Sequence, residues 1–169
     1  MAGVGSTSLS PDQSRQRLIA IRETLEGIFA GLHPESYRVT SCRSEEPNCI
    51  GWAAGDPAHW WEPSGDPRHY WPAGALAEYS VRGYVSAFEQ CAYTPCNDGT
   101  LESGFEKVAL YVDQVTQRPS HAARQLPSGK WSSKLGRLED IEHTDLHAVA
   151  GPEPAYGDAV VYMKRAIKR

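Results

Sequence analysis

Cys49 and His121 are the residues of this chain whose types and positions are best suited to covalent chemistry. Cys49 opens a short segment typical of a helix, with Asn48 suited to the N-cap and Gly55 to the C-terminal end. The free N–H groups and aligned peptide dipoles at a helix start favour the thiolate, which is the nucleophilic form of cysteine. One such cysteine with a distant histidine is typical of a thiol hydrolase, so we predict Cys49 as nucleophile and His121 as base.

The elements that would position these residues are helices in the first half of the chain and strands in the second. Ser10 and Pro11 predict the start of a helix that ends near Gly31, and residues 76–90 predict a second amphipathic helix. Predicted strands cover residues 37–40, 105–112, 121–126, 130–135 and 156–165, and residues 138–143 form either a strand or a turn. Helices that precede strands predict an α+β fold with an antiparallel sheet.

Length, charge and composition restrict the class of protein. The 169 residues, 40% hydrophobic and 22% charged, predict one globular domain over residues 11–169 after a flexible N-terminal segment, residues 1–10. A net charge of −4 without a Lys/Arg cluster speaks against nucleic acid as a partner. No apolar run approaches the roughly 18 residues of a membrane span, and the first residues lack the pattern of a secretory signal. We therefore expect no membrane association and a cytoplasmic location.

The four cysteines are expected to be reduced and free of metal. Cys91 and Cys96 are five residues apart, and no close Cys-x-x-Cys or His-x-x-x-His pair stands near them. Nothing else in the sequence suggests a small secreted scaffold held by disulfides. We expect no cofactor, and the sequence does not predict the oligomeric state.

An aromatic loop follows the Cys49 segment directly. Residues 56–73 are dense in Pro, Gly, Trp and Tyr, which is typical of a structured loop. One interpretation is that Trp52, Trp60 and Trp61 form the wall of a cleft beside Cys49. The other is that the rings simply cover the core.

The order of these features resembles the papain-like superfamily, in the compact form of the bacterial cell-wall peptide hydrolases. The Cys49 segment, residues 107–136 and the order of helices before strands carry the resemblance. Residues 121–126, 131–136 and 140–143 also resemble a small bacterial family within that superfamily, with no assigned substrate. The resemblance implies a nucleophile at the start of a helix that packs on a small antiparallel sheet. It also implies a peptide or protein substrate.

The resemblance carries roles over to individual residues. It implies that Cys49 attacks an acyl carbon to form a thioester and that His121 moves the proton. The backbone N–H of Cys49 would be one oxyanion donor. Tyr37, twelve residues before the cysteine, matches a family tyrosine that lies near the oxyanion.

The residue that orients His121 is where this sequence departs from the family pattern. The family position twelve residues after the base is Ser133, in place of the usual His, Asn, Asp or Gln, and a serine orients an imidazole poorly. Asp140, nineteen residues after the base, lies at about the distance that the transglutaminase-like relatives use. We favour Asp140 as the orienting residue, with Ser133 and His143 as alternatives.

Two functions follow from these observations. The first is a cysteine hydrolase or acyltransferase (a peptidase, amidase or deamidase) that acts through a thiolate–imidazole pair, whose Cys49 should be alkylated well below pH 8. The second is a catalytically inactive papain-like domain that binds a peptide or protein partner, which the serine at position 133 favours. Alone, a cysteine in an apolar helix most often packs in a core, so the first hypothesis depends on Cys49 and His121 together.

Overall fold

The computed structural model describes residues 9–168, and the structural statements below refer to that range. Its helices are α1 (Pro11–Ile28), α2 (Cys49–Ala54), α3 (Val81–Glu89) and a 3-10 helix (Leu146–Val149). Of the predicted flexible segment, residues 1–10, all but the last two residues lie outside the described range. No helix within residues 9–168 combines the length and the apolar character that a membrane crossing needs.

Within residues 9–168, seven strands form one antiparallel sheet. They are β1 (Tyr37–Val39), β2 (Thr94–Cys96), β3 (Phe105–Val112), β4 (Pro119–Gln125), β5 (Trp131–Lys134), β6 (Asp140–His143) and β7 (Asp158–Ala166). Their order across the sheet is β1-β6-β5-β4-β3-β7-β2, so β4 lies in the middle. The α+β class and the antiparallel sheet predicted from the sequence are confirmed.

Element boundaries differ from the prediction where capping or edge pairing decides them. The helix predicted over residues 76–90 begins at Val81, because the Ser80 side chain accepts the Gly83 N–H at 3.1 Å and caps the helix there. Strand β2 was not predicted from the sequence. It has three residues and pairs, within residues 9–168, with β7 alone, and a strand this short shows no residue pattern of its own.

The pleat of the sheet divides the buried side chains into two cores. The first core joins the end of α1 to one face of the sheet and contains Leu25, Phe29, Ala109, Tyr111, Ala123 and Ile141. The second core joins α2 and α3 to the other face and contains Ile50, Ala53, Phe88, Val108, Leu110 and Ala122. Because successive residues of a strand point to opposite faces, each strand residue contributes to one core or the other.

Strand register assigns the candidate side chains to faces. His121 pairs with Tyr111 of β3, and Ser133 pairs with Ile141 of β6. Both partners belong to the first core, so the His121 and Ser133 side chains lie on that face. Asp140 directly precedes Ile141 and therefore points to the opposite face.

A β-bulge lies where β4 begins. Tyr111 pairs with His121 but Val112 pairs with Pro119, so Ser120 is the extra residue. The Ser120 hydroxyl lies 3.2 Å from the carbonyl oxygen of Tyr111, within hydrogen-bonding distance. A bulge twists its strand and re-aims the adjacent side chains, and here that side chain is the imidazole of His121.

Leu110→Ala is expected to lower the free energy of unfolding by about 3 kcal/mol, because the Leu110 side chain is 0% exposed in the second core. The matched control is Leu101→Ala, which removes the same atoms from a side chain that is 51% exposed. The control should cost less than about 1 kcal/mol. Urea unfolding followed by tryptophan fluorescence measures both losses, and equal losses would contradict the described core.

Candidate active site

Helix α2 begins at Cys49 and ends at Gly55, which confirms the predicted capped segment. The Asn48 side-chain oxygen accepts the N–H groups of Gly51 and Trp61, both at 3.0 Å. Its amide nitrogen donates to the Trp61 carbonyl at 2.8 Å. Asn48 therefore fastens the start of the helix to the aromatic loop and holds Cys49 beside Trp61.

Cys49 lies on the wall of a cleft of about 240 Å³. Trp60 and Trp61 line this cleft, as the first interpretation of the aromatic loop predicted. Trp52 does not line it, contrary to that interpretation. Three residues further along α2, Trp52 faces the sheet instead, and its indole N–H donates to the Ser132 hydroxyl at 3.1 Å.

Burial raises the pKa of the Cys49 thiol to about 11. The backbone N–H groups of Ala122, Ile50 and Cys49 itself, and then the charge of Lys134, lower the pKa without offsetting burial. At neutral pH Cys49 is therefore a thiol, whereas the sequence predicted a thiolate that is alkylated well below pH 8. A helix of six residues contributes a weak dipole, and desolvation of the sulfur outweighs it.

His121 is fully buried on the face of the first core. Its ring stacks on Tyr156, with centroids 4.1 Å apart and planes 6° apart, and meets the edge of Tyr111 at 5.2 Å. Burial, followed by the proximity of His143, holds the pKa of His121 well below its usual range. The imidazole is therefore neutral at physiological pH.

Three hydrogen bonds connect His121 to a backbone carbonyl across successive strands. The first joins His121 Nε2 on β4 to Ser133 Oγ on β5 at 2.9 Å. The second joins Ser133 Oγ to His143 Nε2 on β6 at 2.9 Å. The third joins His143 Nδ1 to the carbonyl oxygen of Asp145 at 2.7 Å.

The Asp145 carbonyl sets the direction of these three hydrogen bonds, because a carbonyl oxygen can accept a hydrogen bond but cannot donate one. His143 Nδ1 therefore carries the hydrogen. Burial lowers the pKa of His143, so the ring is neutral and its Nε2 is an acceptor. The Ser133 hydroxyl donates its single hydrogen to His143 Nε2, and the Ser133 oxygen accepts a hydrogen bond from the Nε2–H of His121. This leaves Nδ1 of His121 as a proton acceptor, buried without a hydrogen-bond partner among the described residues.

Cys49 and His121 lie on opposite faces of β4. Cys49 packs against the second core, which contains Ala122 of β4, and the Ala122 N–H is one of the groups that lower the pKa of Cys49. The thiol comes from the second core and the imidazole from the first, and no hydrogen bond joins them within residues 9–168. Tyr156 contacts both regions, because it stacks on His121 and also lines the cleft. Among the described residues, the connection between the cleft of Cys49 and the ring of His121 therefore runs through Tyr156 and not through a direct hydrogen bond.

Asp140 does not contact His121, contrary to the expectation that it orients the ring. Its carboxylate accepts from the Ser41 hydroxyl at 2.5 Å and lies 3.6 Å from the Lys134 ammonium, on the face of the second core. Sequence separation from the base does not encode the alternation of a pleated strand, so it could not exclude Asp140. The two alternatives, Ser133 and His143, are the residues that hold the imidazole.

Tyr37 also lies away from the cleft, contrary to its expected place near the oxyanion. Its hydroxyl donates to the Glu26 carboxylate of α1 at 2.8 Å, and its ring packs in the first core. Tyr84 of α3 lines the cleft instead. Burial, and then the charges of Cys49 and Glu62, raise the pKa of Tyr84, and its hydroxyl makes no side-chain hydrogen bond in the described range. Helical periodicity predicts Tyr84 as an inward-facing residue and gives no sign of a role in the cleft.

Residues 38–164 match the sequence profile of a family described as a domain of unknown function, DUF7689. The chain belongs to the DUF7689 family. The match covers about three quarters of the chain and includes the cleft residues and the hydrogen-bonded histidines. No curated protein and no solved structure matches the chain.

Other parts of the DUF7689 domain, within residues 9–168, are less suited to catalysis or metal binding than this cleft. Within residues 9–168, no group of three His, Cys, Asp or Glu side chains could hold a metal ion. The four cysteines are free thiols. A larger cavity of about 560 Å³ lies between Trp131 and Tyr162, on the other side of the sheet from α2, and Cys49 does not line it.

The two buried histidines predict that the DUF7689 domain loses stability in acid. The pKa values of His121 and His143 are both below their usual range near 6.5, so below that pH the unfolded chain binds protons that the folded chain does not. The free energy of unfolding should therefore fall as the pH drops below about 6.5. The slope should approach about 1.4 kcal/mol per pH unit for each histidine.

Urea unfolding between pH 7.5 and pH 5 measures this slope. His143→Gln should reduce it by about half, because one of the two titrating groups is removed. The control is His147→Gln, at an exposed position, which should keep the wild-type slope. A wild-type slope near zero would contradict the neutral, buried pair.

Proposed function

We propose that this DUF7689 domain is a papain-like cysteine hydrolase or acyltransferase, with Cys49 as nucleophile and His121 as base. Its substrates are acyl compounds with an amide, peptide or thioester bond. The observation that carries the proposal is the buried Nδ1 of His121, an acceptor with a fixed tautomer and no hydrogen-bond partner among residues 9–168. An unpaired buried acceptor costs about 1–3 kcal/mol, and receiving a proton in a reaction is a physical reason to retain one.

The order of the elements supports the papain-like assignment. Cys49 begins a helix that precedes the central strands, and His121 lies near the start of β4. Ser133, on the next strand, occupies the family position for the orienting residue and contacts His121. Because a serine orients weakly by itself, His143 on the following strand completes that role by fixing the serine proton.

In the proposed reaction the proton is transferred during the attack and not before it. His121 Nδ1 removes the thiol proton while Cys49 Sγ forms a bond to the carbonyl carbon. The imidazolium then gives that proton to the leaving nitrogen or sulfur as its bond to the carbonyl carbon breaks. A water molecule that loses its proton to His121 hydrolyses the thioester, releases the acid and restores the thiol. The proposed reaction requires that substrate binding bring the sulfur within hydrogen-bonding distance of Nδ1, because the two make no hydrogen bond within residues 9–168 of the free protein.

Two groups are suited to stabilise the oxyanion. The Cys49 N–H is the first, as the resemblance implies. The Tyr84 hydroxyl is the second, in place of Tyr37, because Tyr84 lines the same small cleft as Cys49. Burial raises the pKa of Tyr84, so the phenol stays protonated and able to donate.

Variants of the reacting and positioning residues test this proposal on simple thioesters. Cys49→Ala and His121→Ala should abolish turnover. Ser133→Ala should lower kcat about 10- to 100-fold with little change in KM, because it frees the tautomer of His121 without touching substrate. The control Asp140→Asn should lower stability but keep the wild-type kcat.

Turnover that survives Cys49→Ala would contradict the proposal. So would a kcat that falls as far in Asp140→Asn as in Ser133→Ala, because the hydrogen-bonded chain would then have no special role. Circular dichroism and urea unfolding of each variant separate loss of chemistry from loss of folding.

A second candidate function is partner binding without catalysis. Two observations favour it: burial raises the pKa of Cys49 to about 11, and its sulfur makes no hydrogen bond to His121. In that case wild-type protein would hydrolyse none of the thioesters, and Cys49→Ala would bind the partner as the wild type does.

A further inference from the structure

Among the described residues that line the cleft beside Cys49, one has an acidic or basic side chain other than Cys or Tyr. This residue is Glu62, on the aromatic loop, and its side chain is 29% exposed. The remaining lining groups are apolar, aromatic or neutral polar. A carboxylate on an aromatic wall creates a negative potential in a small cleft of low dielectric.

Hydrogen bonds fix the Glu62 carboxylate in position. One oxygen accepts the Tyr79 hydroxyl at 2.8 Å, and the other accepts the indole N–H of Trp60 at 3.0 Å and lies 3.2 Å from His69 Nδ1. A carboxylate has about four acceptor sites, so Glu62 can accept another donor. The side chain is pre-oriented and needs little ordering when a ligand binds.

Aromatic rings next to Glu62 favour the same type of ligand. Trp60, Trp61 and Tyr84 line the cleft, and the faces of such rings attract cations and repel anions. The nearest arginine of the loop, Arg68, is paired with Asp66 at 2.6 Å, so its charge is largely neutralised. None of the described residues that line the cleft is a lysine, arginine or histidine that could offer a positive charge to an anion.

Tyr84 relates the carboxylate to the reacting sulfur. Tyr84, Cys49 and Glu62 line the same small cleft, and the charges of Cys49 and Glu62 both raise the pKa of the Tyr84 phenol. A ligand that contacts Glu62 therefore also lies close to the nucleophile. The positive group must be carried by the acyl compound itself, near the bond that breaks.

We propose that the cleft selects acyl substrates that carry an ammonium group, which Glu62 binds within the aromatic wall while Cys49 attacks the neighbouring carbonyl carbon. The inference rests on the proposed hydrolase function for its chemical step. Its charge selectivity does not, because the cleft and its carboxylate exist whether or not Cys49 turns over a substrate.

Thiol-modifying reagents test the charge selectivity without any substrate. Methanethiosulfonates that carry an ethylammonium, an ethylsulfonate or a methyl group react with the thiolate, which forms a disulfide and releases methanesulfinate. Peptide mass spectrometry follows Cys49 and the exposed Cys42 in the same sample. The ratio of the cationic rate to the anionic rate should be about tenfold higher at Cys49 than at Cys42. High salt should reduce the difference only partly, since the cleft screens its charge from solvent.

A matched pair of variants assigns the selectivity to Glu62. Glu62→Gln should lower the Cys49 ratio at least about fivefold. The control Glu45→Gln removes the same charge from an exposed position on the far side of Trp60 and should leave the ratio unchanged. Equal ratios at Cys49 and Cys42, or a ratio that Glu62→Gln does not change, would overturn the proposal.

Three lysine thiobenzyl esters distinguish the source of the ammonium. They are acetylated on the α-nitrogen, on the ε-nitrogen or on both, so they offer a side-chain ammonium, an α-ammonium or neither. At least one of the cationic esters should have a higher kcat/KM than the neutral ester, and Glu62→Gln should remove that preference. If the neutral ester has the same kcat/KM as both cationic esters, the ammonium site is overturned and the hydrolase function is not. Failure to turn over any ester, with the reagent ratio intact, would instead overturn the hydrolase.

Discussion

The hydrogen bond from His143 Nδ1 to the Asp145 carbonyl is the constraint on which the candidate site depends. A carbonyl oxygen has no proton to give, so the bond fixes the tautomer of His143 and then the proton of Ser133. His121 is left with its hydrogen on Nε2 and a lone pair on Nδ1. A serine alone would orient an imidazole poorly. Here Ser133 is a fixed acceptor for His121, because its hydroxyl hydrogen is donated to His143.

Burial keeps both proposed reacting groups uncharged. The same loss of solvent that raises the pKa of Cys49 lowers that of His121, so the thiol and the imidazole are both neutral in the free protein. An ion pair would be stable there only if the two side chains were in contact, since each isolated charge is costly in a buried site. In the proposed reaction, the thiol proton moves to His121 only after a substrate has filled the cleft and excluded water. A neutral thiol and a neutral imidazole in the free protein are therefore compatible with the proposed chemistry.

The sequence predicted the elements well and the faces of the strands poorly. The capped helix at Cys49 and the strand of residues 105–112 follow from local signals, namely Asn48, Gly55 and a dense apolar run. Tyr37 and Asp140 were assigned from sequence separation, which ignores the side of the sheet on which a residue lies. The sequence also could not predict how deeply Cys49 is buried. That burial raises the pKa of Cys49, so the side chain is a neutral thiol and not the expected thiolate.

The sequence could indicate Ser133 and His143 only as separate alternatives. Their cooperation depends on the register of β5 against β6 and on the turn that brings the Asp145 carbonyl to the second ring. The sequence did not indicate the proposed role of Glu62 either. That role depends on the aromatic side chains that line the cleft with Glu62 in the folded protein.

The protonation of the two buried rings tests the central claim most directly. Two-bond ¹H–¹⁵N correlation spectra of protein with labelled histidine, recorded near pH 7, report which ring nitrogen carries the hydrogen. The account predicts a neutral His121 protonated at Nε2 and a neutral His143 protonated at Nδ1, with assignments from His121→Gln and His143→Gln. A His121 ring protonated at Nδ1, or at both nitrogens, would contradict it, because no acceptor would then be available for the thiol proton.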